Sequence, residues 1–334
     1  MSAPHYEIRE YRPGDEHGIL ATFNAVFAAG DPRFLGRDLA SWRWAYEHNP
    51  AGRQVVVATT QVDGADQIVA HYAALPVRMI LEGREAVYAQ GVDSMTHPAH
   101  RAGLKRPGLF VNTAEVFFAR FGGADRDVIV YGLPIEQAHR MGARFLDYEI
   151  VRTQSFLGRE TGAASAQLPA GVERLERFDE QARWLFDRCA GDFGASALRD
   201  AAFLSWRFSR PGASYTTLGV RDGVGILRGL CVLRRMRLLE LDLVVVCEWL
   251  VPPSEPEVGE LLERAACASA AREGAPGLAG VVPDHSPWFA WFQERGWRVH
   301  PSPYLMCTRH FARRYDPHWS RNNWWYTLAD TDLV

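Results

Sequence analysis

The chain has 334 residues, 47% of them apolar and 23% charged, a composition that suits soluble globular domains and excludes a disordered or fibrous chain. A net charge of −3 supplies no general basic field, so the expectation is that it binds no nucleic acid. Lys105 is the only lysine among otherwise arginine cations, and the five cysteines (Cys189, Cys231, Cys247, Cys267 and Cys307) form no C-x-x-C pair. They read as small buried hydrophobes in a reducing compartment. No basic-then-apolar leader opens the chain. The longest apolar run, around 241–251, is too short for a bilayer and is interrupted by Asp242 and Glu248. The expected location is cytoplasmic, away from membranes.

In chain order, alternation from Tyr6 predicts a strand, and Pro13-Gly14-Asp15 starts a helix whose apolar stripe is Ile19, Leu20, Phe23, Val26 and Phe27. After SWRWAYEHNP come strands predicted at Gln54–Thr59, Ile68–Ala74, Val77–Leu81 and from Glu85 to about Thr96. The turn-rich HPAHRAGLKRPG leads into a helix with Leu109, Phe110, Thr113, Ala114, Phe117 and Phe121 on one face. A strand ending near Pro134, a short helix to Met141-Gly142 and ARFLDYEIV complete the first series.

Residues 159–171, rich in small and polar side chains, read as a linker between domains at 1–158 and 172–334. The same order then recurs. A strand at Val172–Leu175 precedes a helix bearing Ala182, Leu185, Phe186 and Cys189, and then FLSWRFSRPG, which matches ASWRWAYEHNP. Strands at Tyr215–Val220, Ile226–Arg234 and Leu238–Val246, a helix at 257–272 and a strand at Leu278–Val282 follow, and FQERGWRV echoes HRMGARFL. The tripeptides at Trp42 and Trp206 mark two diverged copies of one unit. Their recurrence favours a framework role, the tryptophan packing and the arginine tying down backbone or a carboxylate. Trp324 and Trp325 in the aromatic tail are expected to dock onto the body.

This order, with a Gly-bearing turn between the longest strand and a helix, resembles the GNAT (N-acetyltransferase) superfamily, once per half. The resemblance implies a mixed α/β fold of two tandem GNAT-like domains, each a mostly antiparallel sheet flanked by helices. It further implies acetyl-CoA or another acyl-CoA as co-substrate, and a small-molecule or peptide amine as acceptor. In that family the splayed fourth and fifth strands hold the pantetheine arm, and a Gly-containing loop at a helix start cradles the pyrophosphate, where exposed N–H groups and the helix dipole favour an anion. On this chain the correspondence falls on Met95, Thr96, Arg101, Gly103, Gly108, Leu109 and Phe110. The loop from Arg101 to Gly108 is longer than the family's and adds the cations Lys105 and Arg106. The second copy has PPSEPEVGELL here, with Glu255 and Glu257 near the helix start, where carboxylates oppose a phosphate. It is expected to be a degenerate, non-binding copy.

Family members often carry a carboxylate base on the fourth strand and a tyrosine acid on the helix after the fifth. Asp93 matches the former; a hydrogen bond to a turn or an ion pair with an arginine explains such a carboxylate equally well. The usual tyrosine position falls at Ala138. His139 beside it and Tyr131 at the end of the fifth strand are alternative acids, against an exposed helical histidine and a core tyrosine. His97 reads as a turn residue. No cysteine lies in the first half to carry an acyl group, so transfer is expected to be direct. The rival is a binding or scaffold protein that has lost activity. Transfer from a charged tRNA is disfavoured because no basic patch exists.

Overall fold

The computed structural model describes residues 5–30, 34–62, 64–101, 107–162 and 165–334. Its elements run β1 (Glu7–Glu10), α1 (Asp15–Ala28), α2 (Leu39–Tyr46), β2 (Gln54–Val62), β3 (Ala65–Leu81), β4 (Arg84–Thr96), α3 (Leu109–Phe121), β5 (Asp127–Gly132), α4 (Glu136–Phe145) and β6 (Glu149–Glu160). The series restarts with β7 (Val172–Arg174), α5 (Glu180–Cys189), β8 (Ala195–Ala197), α6 (Ala201–Arg207), β9 (Thr216–Arg221), β10 (Leu227–Leu238), β11 (Leu241–Leu250) and α7 (Pro256–Arg272). It ends with β12 (Gly277–Gly280), α8 (Pro287–Glu294), β13 (Arg298–His310), α9 (Pro317–Asn323) and β14 (Trp324–Trp325). Apart from β8 and the closing elements, the second series repeats the first.

Two strands expected at Ile68–Ala74 and Val77–Leu81 are one strand, β3, which runs through Pro76. Proline lacks the N–H that a central strand needs. The register of β2 with β3 ends at Gln54↔Ala74, so Pro76 lies beyond the stretch where β2 would use that group. Its carbonyl instead accepts from Asn49 Nδ2 at 3.1 Å.

The chain divides into two compact units that do not follow the expected halves. The first comprises Met1–Arg78, Ala86–Val151 and Leu305–Pro317; the second comprises Met79–Glu85, Arg152–Tyr304 and His318–Val334. The first unit's strand order is β1-β2-β3-β4-β5-β13, and in it Cys307–His310 of β13 run antiparallel to β5. The second has β6-β12-β11-β10-β9-β7, with Leu157–Glu160 of β6 antiparallel to β12. The last strand of each repeat thus completes the other unit's sheet. The expected boundary at 158 falls inside β6 for that reason.

In the first unit α3 lays Val111, Ala114, Phe117 and Phe118 on Val56, Tyr72, Ala74, Ala89 and Val130, a buried apolar core. Trp42 and Tyr46 of α2 are also buried, Trp42 stacked on Tyr11 and Tyr46 edge-on to His71 of β3. In the second unit α7 and α8 pack on β10, β11 and β12 around Trp249, Leu262, Trp288 and Phe292. The tail residues Trp324 and Trp325 are buried there, and β14 pairs with β8. All five cysteines are free and buried. Among the described residues no helix is long and apolar enough to cross a membrane, and no group of three His, Cys, Asp or Glu side chains is placed to hold a metal.

Candidate active site

The site is built where β4 and β5 stop pairing. They run parallel from Val87↔Asp127 to Gln90↔Tyr131, and the register ends there, although β4 continues to Thr96. Gly132 permits the last close approach, since a side-chain carbon on it would lie 3.0 Å from the Gly91 carbonyl oxygen. Asp93 follows at φ 57, a left-handed conformation on a strand. Aspartate tolerates this region better than most residues, and such strain persists only where its surroundings hold it.

Those surroundings are specific. The Asp93 carboxylate pairs with Arg37 Nη1 and accepts from the Tyr46 hydroxyl at 2.7 Å. Burial alone would raise its pKa, but Arg37 and the Tyr46 hydrogen bond outweigh that and hold it below the usual carboxylate value. Asp93 is therefore ionised at neutral pH. The Asp93 backbone carbonyl lies 3.0 Å from His71 Nδ1. A carbonyl only accepts, so the proton sits on Nδ1 and Nε2 keeps its lone pair. Nε2 is buried and without a hydrogen-bond partner among the described residues. Burial lowers the His71 pKa, so the ring is neutral.

The remaining expected residues fall as follows. Met95 and Thr96 end β4 with buried side chains, and the Thr96 hydroxyl is without a hydrogen-bond partner among the described residues. Arg101 is exposed, and its Nε donates to the Thr96 carbonyl at 2.9 Å. Gly103, Lys105 and Arg106 lie outside the described residues. Gly108 is the N-cap of α3 in an extended conformation. Leu109 and Phe110 point their side chains into the core, so only their backbone N–H groups can serve a ligand. The first intrahelical bond is Asn112 N–H to the Gly108 carbonyl. The N–H groups of Leu109, Phe110 and Val111 are thus outside the helical ladder, and no acidic residue stands in that first turn.

Tyr131 is buried on β5, paired with Gln90 on one side and Thr308 on the other, which places it on the strand neighbouring the start of the Asp93 segment. His139 is half-buried on α4, and among the described residues no hydrogen bond joins it to Asp93 or Tyr131. His97 caps a short turn, receiving the Ala99 N–H at 3.4 Å, as expected of a turn residue.

Sequence reasoning missed Arg37, Tyr46, His71 and a tyrosine pair. The Tyr72 and Tyr148 hydroxyls are 2.5 Å apart, and the Tyr72 oxygen lies 3.8 Å from where a Gly91 side chain would begin. Burial pushes Tyr148 up to about 12, so it stays protonated and can donate. A signal existed for Arg37: Arg-Asp stands shortly before each tryptophan marker, at Arg37-Asp38 and at Arg199-Asp200. Nothing local marks Tyr148, which lies beyond α4, the helix on which the resemblance places the tyrosine.

The second unit differs at the matching helix. Glu255 is the buried N-cap of α7, paired with Arg188 and, at 2.6 Å, with Arg228. An internal carboxylate thus stands at the helix start that a phosphate would need.

Residues 7–105 match the family model described as an acetyltransferase (GNAT) domain. No curated protein matches the sequence. Among solved structures, a probable N-acyltransferase from Enterococcus faecalis superposes with a TM-score of 0.64 at 13% identity, over 95% of this chain and 74% of that one. A GCN5-related N-acetyltransferase from Anabaena variabilis gives 0.64 at 12% identity, over 92% and 73%. Saccharomyces cerevisiae N-myristoyltransferase with bound myristoyl-CoA gives 0.58 at 12% identity, over 91% and 82%. The likeness in fold spans nearly the whole chain, and the match to the acetyltransferase (GNAT) domain lies on residues 7–105, the segment that carries Asp93.

Proposed function

We propose that the chain is an acyl-CoA-dependent N-acyltransferase whose first unit holds the co-substrate and whose second unit is a non-binding copy. The observation that carries this reading is the end of β4–β5 pairing at Gln90↔Tyr131, followed by an ionised Asp93 and an acid-free helix start at Gly108. Bound acyl-CoA would supply an acyl group activated as a thioester. The helix start at Leu109–Val111, with Arg101, Lys105 and Arg106, would meet its phosphates.

Transfer forms a C–N bond and breaks the C–S bond, so the amine loses a proton and the sulfur gains one. Asp93, held anionic by Arg37 and Tyr46, attracts a cationic amine and accepts its proton directly or through water. A depressed pKa makes it a weak base, so its first contribution is to hold and orient the acceptor. Tyr131, Tyr148 and His139 are the candidate donors to the leaving sulfur. Tyr148 combines a firmly protonated hydroxyl with a place, through Tyr72, beside Gly91.

Acetyl is the proposed acyl group and a small-molecule or peptide amine the acceptor. Five buried thiols suit a reducing compartment such as the cytoplasm. Calorimetry with acetyl-CoA and with a long-chain acyl-CoA tests the reading. Binding is expected, and charge reversal at Lys105 and Arg106 should weaken it. No heat from either ligand near ~1 mM, a range weaker than about 4 kcal/mol of binding, would sink the proposal.

A further inference from the structure

The second unit contains a cavity of about 730 Å³ at the starts of β11 and β12. Glu248, the strand carboxylate of the second unit, lies near the other end of β11, so the cavity is not the counterpart of the Asp93 site. Its volume falls within the roughly 300–1,000 Å³ usual for small-molecule sites. The lining combines Phe156, Leu239, Leu241, Leu243 and Leu278 with Arg159, Arg298 and His300, against Glu160 alone as an acid. Gly277 lets β12 approach β6 closely at this wall, since a methyl group there would meet the Arg159 carbonyl oxygen at 2.8 Å and Leu243 at 3.4 Å.

The hairpin beside the cavity gives a second, independent sign. Leu238 pairs with Leu241, so Leu239 and Glu240 form a two-residue loop, at φ 50 and 67. Such loops favour Asn-Gly or Asp-Gly because both residues are left-handed. The β3–β4 hairpin shows the ordinary solution, with Glu82 at φ 48 followed by Gly83 at φ 77. A leucine in this region is strained, and this one lines the cavity. Leu241, also on the wall, is 58% exposed. Apolar side chains are therefore kept on the wall against local preference and against water.

We propose that this cavity is a binding site for an aliphatic chain bearing one carboxylate, that is, a free medium- or long-chain fatty acid. The leucine wall takes the chain. The carboxylate faces Arg298, which has no ion pair or hydrogen bond among the described residues, together with His300. Arg159, engaged with Glu263, lines the same cavity. The proposal does not rest on acyltransferase activity.

Titration calorimetry of the full chain with dodecanoate and with dodecanol, both below their aggregation limits, tests it. Dodecanoate should bind more tightly than dodecanol. Arg298→Glu should weaken dodecanoate about tenfold and leave dodecanol unchanged. Leu241→Asp, at an exposed position that folding does not need, should weaken both about tenfold, with circular dichroism confirming the fold. Absence of binding by wild type overturns the site. Equal affinities for acid and alcohol, or variants indistinguishable from wild type, overturn it as well.

Discussion

Arg37 and Arg199 hold matching places in the two repeats. Each directly precedes the aspartate that caps a short helix, Asp38 for α2 and Asp200 for α6. Each pairs with a carboxylate on the corresponding strand, Asp93 on β4 and Glu248 on β11. Their surroundings differ. Arg199 and Glu248 are fully buried, and Arg199 also grips Asp330 of the tail, whereas the Arg37 and Asp93 side chains remain 25% and 12% exposed. The arginine–carboxylate tie is common framework. Only the first unit leaves its carboxylate in reach of solvent.

Removal of Arg37 tests that tie. The Arg37→Met variant should lose about 2–4 kcal/mol at pH 7, because a largely buried carboxylate is left uncompensated. Asp93 has a folded pKa below its unfolded value, so its contribution is present above the ordinary carboxylate pKa and disappears as pH falls through the folded one. The gap between variant and wild type should therefore close on acidification. Urea unfolding at a series of pH values measures it, and a gap that widens in acid would contradict the assignment.

Asp93→Asn separates framework from chemistry. Asparagine keeps an acceptor for Tyr46 but loses the charge. Under the proposed function, kcat/KM should fall about 100-fold or more while acyl-CoA affinity is retained. If Asp93 served stability alone, turnover per folded molecule would be unchanged.

Asp127 carries the opposite shift. It is buried at the start of β5, accepts from Gln54 Nε2 at 2.8 Å through one oxygen, and its other oxygen has no hydrogen-bond partner among the described residues. Burial raises its pKa to about 6. Between the ordinary carboxylate pKa and that value the folded state holds the extra proton, so rising pH costs stability over this window. Asp127→Asn should thus stabilise the protein by up to about 3 kcal/mol at pH 7 and by little at pH 4. Thermal unfolding at both pH values checks it.

Much of the fold was legible because alternation and helical periodicity are local. The stripe from Leu109 to Phe121 and the repeat of whole elements needed no tertiary information. The exchanged last strands were hidden, since nothing in ARFLDYEIV or in Leu305–His310 states which sheet completes its pairing. The partners of Asp93 were hidden likewise. Tyr46 belongs to an apolar helix face, and Arg37 looks like any exposed loop cation until β4 is placed beside it. The break expected between Ala74 and Val77 is absent, because proline ends a strand only where the missing N–H would have been used.

Glu255 predicts an ion dependence. Arg188 and Arg228 both face its carboxylate at the start of α7. Glu255→Gln leaves Arg188 and the helix dipole without this anion and Arg228 with only Asp222 at 3.8 Å, at a cost of about 2 kcal/mol. Sulfate at tens of millimolar should restore more stability to this variant than to wild type, beyond its general effect on solubility. Chloride at matched ionic strength should not.

Tyr148 and Gly142 allow packing to be separated from proton donation. A side-chain carbon at Gly142 would lie 2.0 Å from the Tyr148 ring, so α4 needs glycine there. Gly142→Ala must push the ring away, break the contact with Tyr72 and strain the helix, and should cost about 1–3 kcal/mol. Tyr148→Phe keeps the ring and removes only the hydroxyl. Its stability loss should stay near ~1 kcal/mol, because Tyr72 loses one partner. If Tyr148 protonates the leaving sulfur, the Phe variant should nonetheless lose about 100-fold in kcat with acyl-CoA affinity intact. Two enzymes of nearly equal stability would then differ widely in rate. Full activity in the Phe variant would instead leave Tyr131 and His139 as the donors, and would make the Tyr72–Tyr148 pair a matter of packing alone.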